Sequence, residues 1–128
     1  MNIYNRIPNN EKNGIPIFSD SDEYTSNYDK ISNDHLAYLE KTGENPFMPE
    51  EYWKGLEKET IEHIEPLLFE GAKVLDVGVG LGRLLSGIKT PIEKYGVDIS
   101  LSYLLKAKNS NINVCLSKIE ELPYKDNY

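Results

Sequence analysis

The sequence has one cysteine, two histidines and no long apolar run, and each shortage removes a class of protein. A lone Cys115 cannot close an internal disulfide and fits a reducing cytoplasm. Set in an apolar stretch, it reads as a small buried residue. His35 and His63 lie far apart without metal-ligand spacing, so each reads as an exposed helix residue rather than a general base. No segment approaches the roughly 20 apolar residues that cross a bilayer, so no membrane span is expected. The start, Met1-Asn2-Ile3-Tyr4-Asn5-Arg6, lacks the apolar centre of a signal peptide. Basic residues are also scarce, 14 against 21 acids, for a net charge of −7. A face that neutralises phosphates needs the opposite balance, so direct nucleic-acid binding is not expected. No nucleophile stands with a matched base and no metal site is visible, so the catalytic residues stay unassigned.

What is present divides into three parts. Residues 1–31 are polar, rich in Asn, Ser and Asp, and broken by Pro8, Gly14 and Pro16. Such a stretch buries little apolar area and is expected to be a flexible arm or lid. Residues 32–70 carry helical signals. A first helix is capped by Ser32 or Asn33, shows Leu36 and Leu39 on one face, and is ended by Gly43. A second opens at Pro49 with Glu50 and Glu51 in its first turn. Trp53, Leu56, Thr60, Ile64 and Leu67 or Leu68 recur at three- and four-residue steps and are expected to pack on a sheet. Pro66 should kink or terminate this helix near its end.

Residues 71–128 change period. Lys73–Val77 is a short buried strand that runs straight into glycines 78, 80 and 82, followed by the helix-like Gly82–Ile88. A second strand, Tyr95–Ile99, leads to a helix capped by Ser100, and Ile112 to Leu116 gives a third strand. Strand and helix alternating through short links predict right-handed parallel crossovers. The fold class is therefore α/β, a Rossmann-like, doubly wound parallel sheet with N-terminal helices, truncated after about three strands. Its first strand would lack a neighbour on one side, which calls for a homo-oligomer or a complementing C-terminal half.

The chemistry sits in Val74-Leu75-Asp76-Val77-Gly78-Val79-Gly80-Leu81-Gly82. The glycines let the backbone turn sharply and leave no Cβ in a ligand's way. The following helix would aim free N–H groups at an anionic group, and Asp76 suits a cationic one such as an α-amine. The spacing is D-x-G-x-G-x-G rather than the G-x-G-x-x-G of dinucleotide-binding dehydrogenases.

This run resembles the first motif of the class I S-adenosylmethionine-dependent methyltransferases. Gly96-Val97-Asp98-Ile99-Ser100 is similar to their second-strand motif, and Glu120-Glu121-Leu122-Pro123-Tyr124 to their acid-x-Leu-Pro-aromatic segment. The resemblance implies S-adenosyl-L-methionine as cofactor and methyl transfer to an acceptor, with a small molecule favoured. It implies that Asp76, Gly78, Gly80 and Gly82 line the methionine part. Asp98 would hold the ribose hydroxyls, Ile99 would pack on the adenine, and the backbone of Ile119 would contact it. Where the family often has an acid to read the adenine amine, this sequence has Lys118, which can only donate. Tyr24 and Tyr28 fall in the arm that in related enzymes closes over the cofactor; as single tyrosines in a polar stretch they read as surface residues. Two other readings remain: a non-catalytic module that binds the cofactor or a partner, and an NAD-binding oxidoreductase fragment, since Asp98 would also serve an NAD ribose.

Overall fold

The computed structural model describes residues 2–128; Met1, the first residue of the expected arm, lies outside them. The chain runs β1 (Asn10–Lys12), β2 (Ile15–Ile17), α1 (Glu23–Thr42), α2 (Glu50–Ile64) and a 3-10 turn (Glu65–Leu67). It continues through β3 (Lys73–Val77), α3 (Arg83–Ser86), β4 (Glu93–Asp98), α4 (Leu101–Lys108), β5 (Asn113–Leu116) and a second 3-10 turn (Ile119–Glu121).

The three expected parallel strands form, with β4 between β3 and β5 and Asp76 opposite Gly96. The sheet nevertheless has five strands, in the order β1-β2-β5-β4-β3. The two extra strands come from the segment that composition assigned to a flexible arm. Asn13 and Gly14 adopt φ of 51° and 77°, the left-handed pair that a two-residue hairpin turn requires. They fold β1 antiparallel onto β2, with Glu11 opposite Pro16. β2 then lies parallel to β5, registering Ile17 with Leu116. Pro16 removes one ladder donor, and the Phe18 amide supplies a bond to the Leu116 carbonyl at 2.9 Å. Ile15 is fully buried in the main core with Val79, Leu85, Leu104 and Ile112, and the Lys108 ammonium holds the Asn13 carbonyl at 2.7 Å. Polar composition misled because one alternating triplet, Ile15-Pro16-Ile17, is enough to anchor the hairpin.

Residues before the hairpin are tied as well. The Asn5 amide donates to the Pro123 carbonyl at 2.7 Å, and the Lys125 amide to the Ile3 carbonyl at 3.0 Å. Tyr4 and Tyr124 close a smaller core around Phe18, Val97 and Cys115. Cys115 is buried there, as its apolar setting suggested.

The helices also depart from expectation. α1 starts at Glu23 rather than near Ser32, because Asp22 and Thr25 form a reciprocal capping box; it ends at Gly43 as foreseen. Its buried residues are Thr25, Ser32 and His35, all polar. No residue of α2 is buried. The expected apolar stripe is divided: Trp53, Leu56 and Thr60 face a cavity, while Leu68 packs on the main core beside Ile61, which the stripe did not include. Instead of packing flat on the sheet, α1 and α2 form a roof beside the ends of β3 and β4. Pro66 falls in the 3-10 turn that terminates α2.

The hairpin generates a direct test. Ile15→Ala empties a fully buried site in the main core and should cost about 2–5 kcal/mol by urea denaturation. A mobile arm would tolerate the change without loss.

Candidate functional site

The site is built where β3 and β4 end. After Val77 the chain turns through Gly78, Gly80 and Gly82, all with left-handed φ between 54° and 82°. The Val97 carbonyl on β4 accepts from the amides of Gly78 and Val79, at 2.8 and 3.0 Å. The turn is thus stitched to the neighbouring strand before the next helix begins. A Cβ at Gly78 or Gly80 would meet open space, whereas at Gly82 it would lie 2.5 Å from the Ile112 side chain. Gly82 is buried against Ile112 and Ala107 and lines neither cavity described below; it lets the turn seat against α4 and β5. The helix after the turn is shorter than expected, only Arg83–Ser86. One turn adds little macrodipole, so the backbone N–H groups and nearby carboxylates set the local field.

Two of those carboxylates sit at the ends of adjacent strands. Asp98 is buried, and its oxygens accept from the Gly80 amide and the Ser100 amide, each at 2.9 Å. Ser100 caps α4 by accepting from the Tyr103 amide at 3.2 Å, as its position predicted. Asp76 is half-buried and makes neither an ion pair nor a side-chain hydrogen bond among the described residues. Burial, and then the proximity of Asp98, raise its carboxyl above the ordinary value.

A cavity of about 540 Å³ opens over this turn. Asp76, Gly78, Gly80 and Asp98 form its floor, and α1, α2 and the loop between them form its roof. Three of its residues could not be assigned from sequence. Arg83 hydrogen-bonds Glu50 at 2.7 Å and forms an ion pair with Glu57 at 2.8 Å, joining α3 to α2, and its guanidinium lies 5.9 Å from the Trp53 ring centroid. Tyr103 and His35 form the second link: His35 Nδ1 lies 2.6 Å from the Tyr103 hydroxyl. His35 was read as exposed; it is 8% exposed, with its ring edge-on to Phe47 and to Tyr103. Burial, and then Arg83, hold the imidazole below the ordinary 6.5. Helical spacing alone could not reveal this, because the partner is on α4. His63 behaves as expected, exposed on α2 with Nδ1 at the Glu59 carbonyl.

A second cavity of about 360 Å³ lies across Gly78 and Asp98 from the first, lined by Ile99, Ile119 and Lys118. Tyr28 lines both cavities, and Tyr24, which is 70% exposed, lines the second. Lys118 turns its ammonium to Asp22 at 2.6 Å, and its amide donates to the Ser19 hydroxyl. That ion pair and the Thr25 amide hold the Asp22 carboxyl down at about 2. Of the seven sequence-predicted site residues, Asp76, Gly78, Gly80 and Asp98 line the first cavity, Ile99 and Ile119 line the second, and Gly82 lies beneath the turn. Among the described residues, no group of three His, Cys, Asp or Glu side chains could hold a metal ion. Nor, among the described residues, is any helix long and apolar enough to cross a membrane.

No family model matches the sequence, and no curated protein matches it. Solved structures do. One is a chain of the complex between the Haloferax volcanii Trm112 methyltransferase activator and the putative methyltransferase. It is 19% identical, with a TM-score of 0.50 over 85% of this chain and 45% of that one. Another is a SAM-dependent methyltransferase from Geobacter sulfurreducens in complex with S-adenosyl-L-homocysteine. It is 25% identical, with a TM-score of 0.38 over 46% of this chain and 28% of that one. The fold is α/β and Rossmann-like. The chain spans less than half the length of either structure.

The buried imidazole predicts a pH dependence. Its folded value lies below 6.5, so between that value and 6.5 the unfolded chain binds the extra proton. Stability should therefore fall as pH drops from 7.5 to 5.5. Denaturation of His35→Phe at the two pH values should show a smaller loss than the native chain.

Proposed function

We propose that this chain is the cofactor-binding part of an S-adenosylmethionine-dependent methyltransferase acting on a small-molecule acceptor. The observation that supports it most is the unpaired, half-buried Asp76 beside an open glycine turn, in a cavity whose lining is acidic. Asp76, Asp98 and Glu57 line that cavity against Arg83, which is already paired to Glu50 and Glu57. An ammonium or sulfonium group is stabilised there by simple Coulomb attraction. The donor set fits the cofactor. Asp76 would take the α-ammonium, and the bare backbone of Gly78 and Gly80 would let the methionine part approach. Asp98 uses each oxygen once, for Gly80 and for Ser100, and each oxygen keeps a lone pair for a ribose hydroxyl. Ile99 and Ile119, in the smaller cavity, would cover the adenine, and Gly82 supports the turn from below.

Bound there, the cofactor supplies a methyl group that is already activated. The chain's own residues need only bind, orient and exclude water. The same acids argue against NAD, whose pyrophosphate would face Asp76, Asp98 and Glu57 with a one-turn helix as its anion support. The open edge of β3, with Leu75 and Val77 about 40% exposed, favours pairing with a further strand from a complementing segment or a second copy.

Calorimetric titration with S-adenosylhomocysteine tests the reading. Saturable binding is expected, weakened about 10-fold or more by Asp76→Asn, since a charge-assisted hydrogen bond is worth about 1.5–3 kcal/mol. NADH should not compete. A folded chain that ignores S-adenosylhomocysteine, or an Asp76→Asn variant that binds it equally well, removes the proposal.

A further inference from the structure

The larger cavity extends beyond the glycine turn to walls that the cofactor reading leaves without a role. Ile31, Phe47, Met48, Trp53 and Leu56 line it from α1, α2 and their connecting loop. Phe47 is 64% and Ile31 51% exposed, so apolar surface faces the opening rather than the core. Two polar groups interrupt this wall: the indole N–H of Trp53, buried without a hydrogen-bond partner among the described residues, and the imidazole of His35. His35 spends Nδ1 on Tyr103, while its Nε2 has no hydrogen-bond partner among the described residues and is not sealed from solvent.

We propose that this wall is the methyl-acceptor site, and that the acceptor is a neutral molecule with a ring-sized apolar body and a hydroxyl bonded to Nε2 of His35. The assignment of the occupant as acceptor rests on the methyltransferase reading above; the pocket and its chemistry do not. Three observations select the class. A proton shared between Nδ1 and the Tyr103 hydroxyl leaves Nε2 either as donor or as acceptor, and a hydroxyl answers both. Carboxylates and phosphates are disfavoured, because Asp76, Asp98 and Glu57 line the cavity and its one arginine is already engaged. The neutral imidazole, kept so by burial and by Arg83, adds no charge to attract them. Trp53, Phe47 and Tyr28 offer ring faces and edges on which a planar body packs better than a flexible chain. His35 here binds and orients the hydroxyl.

Trp53 is the only tryptophan and lines the cavity, so its fluorescence reports occupancy. The chain is titrated with 4-ethylphenol, ethylbenzene and 4-ethylbenzoate, exciting beyond the phenol band, and in parallel with S-adenosylhomocysteine. 4-Ethylphenol should bind saturably and roughly tenfold tighter than ethylbenzene, the size of one ordinary hydrogen bond. The benzoate should bind weakest. His35→Phe should erase the phenol's advantage while leaving ethylbenzene unchanged. Should that variant fail to fold, nitrogen NMR of the native chain decides. Only two histidines exist, and the Nε2 resonance of His35 should move with 4-ethylphenol and not with ethylbenzene, with His63 unmoved. Equal binding of phenol and hydrocarbon, or an unmoved His35 resonance, overturns the proposal. S-adenosylhomocysteine binding without phenol binding overturns it and leaves the cofactor reading standing. Phenol binding without S-adenosylhomocysteine binding overturns the acceptor assignment.

Discussion

The carboxylate of Asp98 is the tie on which the site depends. It ends β4, yet its two oxygens hold amides from two other places: Gly80 in the glycine turn and Ser100 at the start of α4. Buried and doubly bonded, it fixes the spacing between the turn, the central strand and the next helix. Ser100 passes the constraint on. Its hydroxyl caps α4 through Tyr103 and donates to Asp29 on α1, which also accepts from the Ser102 amide and hydroxyl. One residue at a strand end therefore aligns the floor of the cavity and, through two hydrogen bonds, one beam of its roof. Charge-assisted bonds in such a sheltered place are worth more than their exposed counterparts.

The roof is attached by a different physics from the floor. The sheet is held by apolar burial around Leu104, Ile112 and Ile15, whereas α1 presents polar residues inward and α2 buries none fully. α2 is joined to the turn chiefly by Arg83 with Glu50 and Glu57, side chains about 20–32% exposed. Partly exposed ion pairs contribute modestly and are screened by salt. A layer fastened in this way opens at lower cost than the sheet beneath it. That suits a surface that must admit a ligand to a floor already in place.

The floor was legible from sequence because its determinants are local. Glycine spacing, the acid before it and the acid closing the next strand lie within a short run, and short apolar runs alternating with helical segments marked all three parallel strands. The roof was not legible, because its determinants are distant in sequence. His35 is buried by Tyr103 and Phe47, and Lys118 is answered by Asp22, pairs that no periodicity connects. Composition erred where the hairpin lies. Asn13-Gly14 before Ile15-Pro16-Ile17 carried a turn signal, but the surrounding Asn, Ser and Asp concealed it. The stripe was correctly helical from Trp53 to Ile64, whereas Leu67 falls in the 3-10 turn and Leu68 beyond it. Its partner was misjudged, since an amphipathic face can meet a cavity as readily as a sheet.

The hairpin also couples the order of synthesis to the order of folding. β2 is synthesised before α1, α2, β3 and β4, yet its parallel neighbour β5 is synthesised after them. Ile15 and Phe18 must therefore wait, unburied, until β5 has been made. A native contact of such sequence separation is slow to form and leaves a nascent strand open to wrong partners. The Asn, Glu and Lys of β1, folded against β2 by a purely local turn, shield one edge of it during that interval.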